Sequence, residues 1–219
     1  MLQLSIATYE YAAVKVERMA QKQAMPGYIE AQQKKLGYAL ARAQDISLSA
    51  RFDAFADNST QGTLGVPLTD NNYLTAWQKL AEAGAIDEAE MDDDISIFLS
   101  PAAYAEGLKL DKFVNQDYAA RKDAVSHASL PFIYGGRVYM TNLLESDATG
   151  QHDCAMIHRD AIAMAVQIEP TVDSDWTIES IATSIVAHVL YGSLELTWPQ
   201  ETAASVTMTD NRGVYLATV

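Results

Sequence analysis

Ile95-Ser96-Ile97-Phe98-Leu99-Ser100-Pro101-Ala102-Ala103-Tyr104, then Leu108-Lys109-Leu110-Asp111-Lys112-Phe113-Val114, then Phe132-Ile133-Tyr134-Gly135-Gly136-Arg137-Val138-Tyr139-Met140-Thr141-Asn142-Leu143-Leu144 is the stretch whose reading decides the fold. A short apolar strand built on Ile95, Ile97, Phe98 and Leu99 leads into a helical segment, a polar loop over Asn115–Ser129 expected to be mobile, and a second strand. Gly135-Gly136 reads as a strand-to-strand turn. None of these residues is an obvious nucleophile or general base. A unit with this much order and no chemistry points to assembly.

Outward from that unit, Gln3–Val16 alternates loosely and is rich in aromatic and β-branched residues, which predicts an extended strand. After Pro26-Gly27, strong helix formers run from Tyr28 to Ala56, with Ile29, Leu36, Leu40, Ala43, Ser47, Ala50 and Ala54 at helical spacing. One long structural helix, on the order of 40 Å, is expected there. Asp57–Pro67 is a turn-rich linker. Thr69-Asp70-Asn71-Asn72 offers caps for a helix over Tyr73–Ala83 that turns Leu74, Trp77, Leu80 and Ala81 inward and stops at Gly84. Ile86–Asp94 is an acidic connector. Ala155–Pro170 is strand-rich, and Thr177–Trp198 is expected to be mostly extended on its β-branched content. The tail from Ala204 to Val219 predicts a terminal hairpin turning at Asp210-Asn211-Arg212-Gly213. One long helix among non-adjacent strands gives an α+β class. The expected division is residues 1–66, 67–160 and 161–219.

The 219 residues are 49% hydrophobic and 20% charged, with a formal net charge of −14. That balance supports a sizeable core and opposes a nucleic-acid-reading surface, which needs clustered Lys and Arg. Between Arg159 and Arg212 there is no cation at all, against eight carboxylates. A solubilising acidic face, or one that must not adhere to nucleic acid, follows from that pattern. The start of the chain lacks a basic and apolar leader, and no run of eighteen apolar residues exists, so a soluble protein made in the cytoplasm is expected. The lone Cys154 cannot close an intramolecular disulfide.

His152, Cys154 and His158, beside Asp153 and Asp160, form the one cluster of potential metal ligands in the sequence. Their spacing matches no familiar zinc arrangement, though strand alternation would put Cys154, Met156 and His158 on one face. A buried, structural cysteine and histidines are the expected outcome, as for the isolated His127 and His188. Asp92-Asp93-Asp94 reads as a solvated connector rather than a cation site. No nucleophile elbow, Walker loop or dinucleotide fingerprint is present, and Gly62-Thr63-Leu64-Gly65 is too short to cradle phosphate. No catalytic residue, metal or cofactor is assigned. A small metal-dependent hydrolase using His152, Cys154 and His158 is the alternative from the enzyme class.

The order of the strand, the Ser100-Pro101 helix, the loop and the Val138-Tyr139-Met140-Thr141-Asn142 strand resembles the axial-domain segment of tailed-bacteriophage major capsid proteins. The resemblance continues in sequence order. Leu4–Glu17 looks like the strand leaving the extended loop, Tyr28–Phe55 like the peripheral-domain spine helix, and Tyr73–Ala83 like the first axial helix. Met156–Gln167 looks like a strand pair of that family, and His188–Leu196 like its return strand. The family's N-terminal arm and most of its extended loop have no counterpart, so a capsid core or a reduced capsid-like subunit is expected. The resemblance implies the phage major-capsid fold, with peripheral and axial domains, and a non-enzymatic subunit of the virion. Such a subunit would assemble into pentamers and hexamers, with scaffold, portal or decoration proteins and packaged DNA as partners. An encapsulin-like nanocompartment shell is the related alternative. Asp45 and its polar neighbours on the spine helix are expected to be interfacial.

Overall fold

The computed structural model describes residues 3–23, 27–57, 59–86, 94–114, 128–130, 132–144, 152–202, 205–209 and 212–218. In chain order its elements are β1 (Thr8–Glu17), α1 (Arg18–Gln23), α2 (Tyr28–Ser49), a 3-10 helix (Asp53–Asp57), β2 (Thr60–Gly62), α3 (Asp70–Glu82), β3 (Ile95–Leu99), α4 (Pro101–Gly107), α5 (Asp111–Val114), β4 (Phe132–Ile133), β5 (Gly136–Met140), β6 (Cys154–His158), β7 (Ile162–Thr177), β8 (Ala182–Glu195), β9 (Trp198–Thr202), β10 (Ser205–Thr209) and β11 (Gly213–Ala217). The loop expected over Asn115–Ser129 falls almost wholly outside the described residues, as do most of the acidic connector and His127.

Two compact units result. Unit 1 is Gln3–Ser47 with Met164–Leu194, and unit 2 is Leu48–Ala163 with Glu195–Val219. The divisions expected at 66/67 and 160/161 differ from these. Phe52 and Phe55 are buried in the core of unit 2, which takes the end of the helical run and the linker with them.

Unit 1 is a three-stranded sheet, ordered β1-β8-β7, with α2 packed on it. β1 runs antiparallel to β8, from Thr8 opposite Tyr191 to Glu17 opposite Ala182. The period of two sends Ile185, Ala187, Val189 and Tyr191 of β8 to one face, joined by Val16, with Ala12 and Val14 partly covered. Leu36 and Leu40, four apart and so on one helix face, cover them. β8 lies within the apolar segment Thr177–Trp198, whose period also suits a helix at Ile178, Ile181, Ile185 and Val189, and the extended reading of it holds.

The long helix ends at Ser49, earlier than the expected Ala56. Phe52 N–H donates to the Ser49 carbonyl at 2.9 Å and Phe55 N–H to that of Phe52 at 3.1 Å. This tighter i to i+3 winding brings residues three apart into line. It turns Phe52 and Phe55 together into unit 2, while the Ser49 hydroxyl donates to the Leu143 carbonyl at 3.0 Å.

Unit 2 holds a six-stranded mixed sheet, ordered β2-β11-β6-β3-β5-β4. β3 and β5 are parallel, which requires a crossover, and α4 and α5 lie in it. Ser100 caps α4, its hydroxyl accepting the Ala103 N–H at 3.1 Å, with Pro101 in the first turn. α3 buries Tyr73, Ala76 and Leu80, with Trp77 partly covered. Leu74, expected inside, is exposed. The Tyr73 ring meets Phe113 edge-on at 5.7 Å, which sets the helix one position round from the expected stripe. Gly84 stops α3 at φ +66, with Gly84 N–H on the Ala81 carbonyl and Ala85 N–H on that of Leu80. Both bonds of a Schellman cap are made.

The terminal hairpin does not form as expected. β10 pairs with β9, whereas β11 lies between β6 and β2 in the large sheet. All five residues of β11 are buried, so the strand needs partners on both edges and cover on both faces, which a two-stranded tail cannot supply.

A polar clasp joins three elements of unit 2. The Tyr134 hydroxyl and the Lys112 ammonium both donate to Asp70 in the first turn of α3. Tyr134 and Gly135 take φ of +47 and +78 and form the tight β4–β5 turn, with Gly136 already in β5. Desolvation and the Asp70 charge push the Tyr134 phenol up to about 12. Burial alone would raise the Asp70 carboxyl, but Lys112 and Tyr134 outweigh it and hold it below the usual range. The clasp therefore contributes fully between ordinary carboxylate and tyrosine ionisation. It is lost as pH falls below about 4 or rises from about 10 toward 12. Tyr134→Phe is expected to cost about 1–2 kcal/mol at neutral pH and to flatten stability between about pH 9 and 11. Urea unfolding at both pH values measures it, and an unchanged alkaline slope would count against the clasp.

Candidate assembly surfaces

The candidate ligands weighed from sequence do not converge. Cys154 and His158 share a face of β6, as strand parity requires, but four residues of strand separate them by about 13 Å. Cys154 is fully buried, its Sγ accepts the Ser100 N–H at 3.3 Å, and burial pushes the thiol up to about 11. That is an inert structural thiol. The His152 ring Nδ1 lies 3.4 Å from the Leu144 carbonyl. Among the described residues, no three His, Cys, Asp or Glu side chains could hold one metal ion. Asp94 is paired with Arg159 at 2.9 Å, and Asp92 and Asp93 lie outside the described residues. His188 sits on the sheet of unit 1 between the Thr171 hydroxyl at 3.3 Å and the Asp173 carboxylate at 3.8 Å.

The outward features of unit 1 are surfaces. Strand alternation puts Tyr9, Tyr11, Ala13 and Lys15 of β1 opposite Leu190, His188, Val186 and Ser184 of β8. These form the sheet face away from α2, where Tyr11 is 68% exposed and its ring lies 6.0 Å from that of Tyr9. The β7–β8 turn presents Ile178 at 81% and Ile181 at 61% exposure, near a Trp176 ring under the Arg18 guanidinium at 5.8 Å. On α2, Lys34, Tyr38 and Arg42 form an exposed stripe at intervals of four, and Asp45 is exposed beyond them. Among the described residues, β1 and β7 are the two edges of the unit 1 sheet.

Unit 2 has its own exposed apolar edge. Phe132 and Arg137 are cross-strand partners with the guanidinium 5.8 Å from the ring, and Tyr139 and Met140 continue β5. Tyr139 stacks on Phe98 at 5.4 Å, and Phe98 meets Phe52 at the same distance. This aromatic row runs from the core to the surface. Leu64, Val66 and Leu74 add exposed apolar side chains. Each unit thus carries exposed apolar side chains of its own. Sequence reading missed the turn of β7–β8, because Ile178 and Ile181 fit the same apolar spacing as the buried Ile185 and Val189.

No helix among the described residues is long and apolar enough to cross a membrane. No family model matches the chain. No curated protein matches it either. Solved structures do. A structure from Mycobacterium phage Che8 superposes with a TM-score of 0.74 at 17% identity, over 97% of this chain and 71% of that one. The capsid of Cyanophage P-SCSP1u gives 0.72 at 16% identity, over 99% and 73%. The holo-SrpI encapsulin complex of Synechococcus elongatus PCC 7942 gives 0.62 at 11% identity, over 98% and 73%. The fold is the phage major-capsid fold, shared with encapsulins, as the α+β reading and the collinear resemblance expected.

Proposed function

We propose that this chain is the structural subunit of an icosahedral phage-type capsid, assembling through pentamers and hexamers into a shell around a DNA genome. The observation that carries the reading is fold similarity over nearly the whole chain to proteins of assembled shells. Unit 1 would serve as the peripheral domain and unit 2 as the axial domain. Separate apolar surfaces on one subunit suit heterologous contacts, which generate rings when the rotation closes. Asp45 and the Lys34-Tyr38-Arg42 stripe are placed at or beside such contacts. Scaffold, portal and decoration proteins are partners in this reading, and DNA is enclosed without sequence-specific contact.

The second reading is a nanocompartment shell around protein cargo, favoured by the encapsulin likeness. One experiment addresses both. The purified chain is sized by light scattering and negative-stain imaging in near-physiological salt, beside Ile178→Glu. Rings or shells that Ile178→Glu reduces to small species are expected, and a monomer at every concentration would overturn self-assembly of this chain. Nuclease-protected DNA inside particles recovered from cells supports the capsid reading. A co-purifying internal protein without DNA supports the compartment.

A further inference from the structure

At the end of β6, one histidine is enclosed by four charged side chains. The His158 side chain is 8% exposed, with Nε2 3.9 Å from Asp94 and Nδ1 3.8 Å from Asp160. Arg159 pairs with Asp94 at 2.9 Å and approaches Asp160 at 3.8 Å, and Arg212 lies 3.5 Å from Asp160. Among the described residues, two carboxylates and two guanidiniums balance there, so that set is neutral only while the ring is. Nδ1 accepts the backbone N–H of Asp160 at 3.2 Å, which places the proton of the neutral ring on Nε2.

Backbone bonds converge on the same place. Arg159 N–H donates to the Asp94 carbonyl, His158 N–H to that of Arg212, Ala161 N–H to that of His158, and Leu196 N–H to that of Ala161. The start of β3, the approach to β11, the β6–β7 turn and the chain just after β8 are therefore tied together. Two of these segments are where the chain leaves unit 2, at Ala163, and re-enters it, at Glu195.

We infer that His158 is an acid-operated latch on the β6–β7 turn of unit 2: a proton on Nδ1 displaces the Asp160 N–H and loosens that turn. The added charge falls on a buried ring and leaves an excess cation beside Arg212, which is mostly covered, and Arg159, which is exposed. Asp94 and Asp160 attract the imidazolium, but each is already engaged by a guanidinium. Desolvation and Arg212 together hold the ring below its ordinary pKa of 6.5. The latch is thus fully closed above that value, and its contribution is lost as pH falls below it. This device does not depend on whether the chain assembles.

Amide hydrogen exchange on the full chain tests it, at about pH 7.5 and 5.5, corrected for intrinsic rates. In the parent chain, Asp160 and Ala161 are expected to lose up to about tenfold in protection per pH unit between about pH 6.5 and the ring's lower folded-state midpoint, and to lose no more below it. In His158→Asn, the amide oxygen takes the Nδ1 position and accepts the same N–H at both pH values, so no such loss is expected. An equal loss in both chains overturns the inference. If the variant does not fold, ring titration by NMR in the parent chain decides. A His158 midpoint below 6.5 that the Asp160 amide shift follows supports the latch. A midpoint at or above 6.5, or an Asp160 amide that does not follow it, overturns it.

Discussion

Gly213→Val is expected to unfold unit 2 at temperatures the parent chain withstands, and Gly213→Ala to destabilise it by about 1–3 kcal/mol. A Cβ at this position would stand 2.5 Å from Phe55 Cδ1 and 2.6 Å from its Cε1 and Cγ. Three ring atoms at that range mean the added carbon lies over the ring rather than at its rim, so no small rotation clears it. Phe55 is 1% exposed and packs beside Phe52 at 6.4 Å, so the ring has nowhere to retreat. Gly213 faces Ile157 in the β11–β6 ladder, so a backbone shift that relieved the clash would break strand pairing. The decisive measurement is a double-mutant cycle by urea unfolding. Phe55→Ala alone is expected to cost about 3–5 kcal/mol. Combined with Gly213→Ala it is expected to cost less than the sum of the two, by about 1–2 kcal/mol, because the new methyl enters the space the ring vacated. Strict additivity would show that the two residues do not share that space.

The same glycine shows where sequence reading loses its hold. Asp210-Asn211-Arg212-Gly213 has the composition of a turn; Asp210 and Asn211 lie outside the described residues, and Arg212 is in a turn before β11. What composition cannot convey is that the strand after the turn pairs with β6 and β2, from residues far earlier in the chain. Local signals were read well. Gly84 lies at the end of an apolar period and makes the cap that position predicts. The strand over Ile95–Leu99, the helix after Ser100 and the strand over Gly136–Met140 form where their patterns put them, and the parallel pairing of the two strands is added by the structure. Choices between nearly equal local options were decided by distant residues. Phe113 rotates α3 onto Tyr73, and the core of unit 2 draws Phe52 and Phe55 out of the helical run. The candidate site divides the same way. The spacing of His152, Cys154 and His158 argued against a shared ion, and the extended strand puts Cys154 and His158 too far apart for one. The ring of charges around His158 draws on Asp94 and Arg212, which precede β3 and β11 on either side of β6 and are far apart in sequence, so no spacing rule reveals it.

Leu40→Ala is expected to open unit 1 while leaving unit 2 folded. The buried apolar set of unit 1 is Val16, Leu36, Leu40, Ile185, Ala187, Val189 and Tyr191, a small core in which two leucines supply most of the helix side. Leu40 is 3% exposed, and its truncation is expected to cost about 2–5 kcal/mol, a substantial share of a small domain's stability. Its cavity cannot be refilled cheaply, since β8 is held in register by β1 along its length. The apolar core of unit 2 contains none of these residues and is built on Ile97, Leu99, Met156 and Leu216 under Tyr73 and Leu80. Hydrogen exchange resolves the two units. Leu40→Ala should deprotect the amides of β1 and β8 by about a hundredfold or more, with β3, β6 and β11 unchanged. Leu80→Ala, truncating a fully buried residue of α3, should deprotect β3, β6 and β11 and spare β1 and β8. Simultaneous loss in both units from either variant would show one cooperative body, and the two cores would then have to be treated as a single stability. Selective loss would mean that unit 1, with its exposed β7–β8 turn and two sheet edges, can be ordered or disordered on its own. A subunit whose contacts are made only on assembly can use that freedom, because binding that buries those edges would restore the stability its small core does not supply.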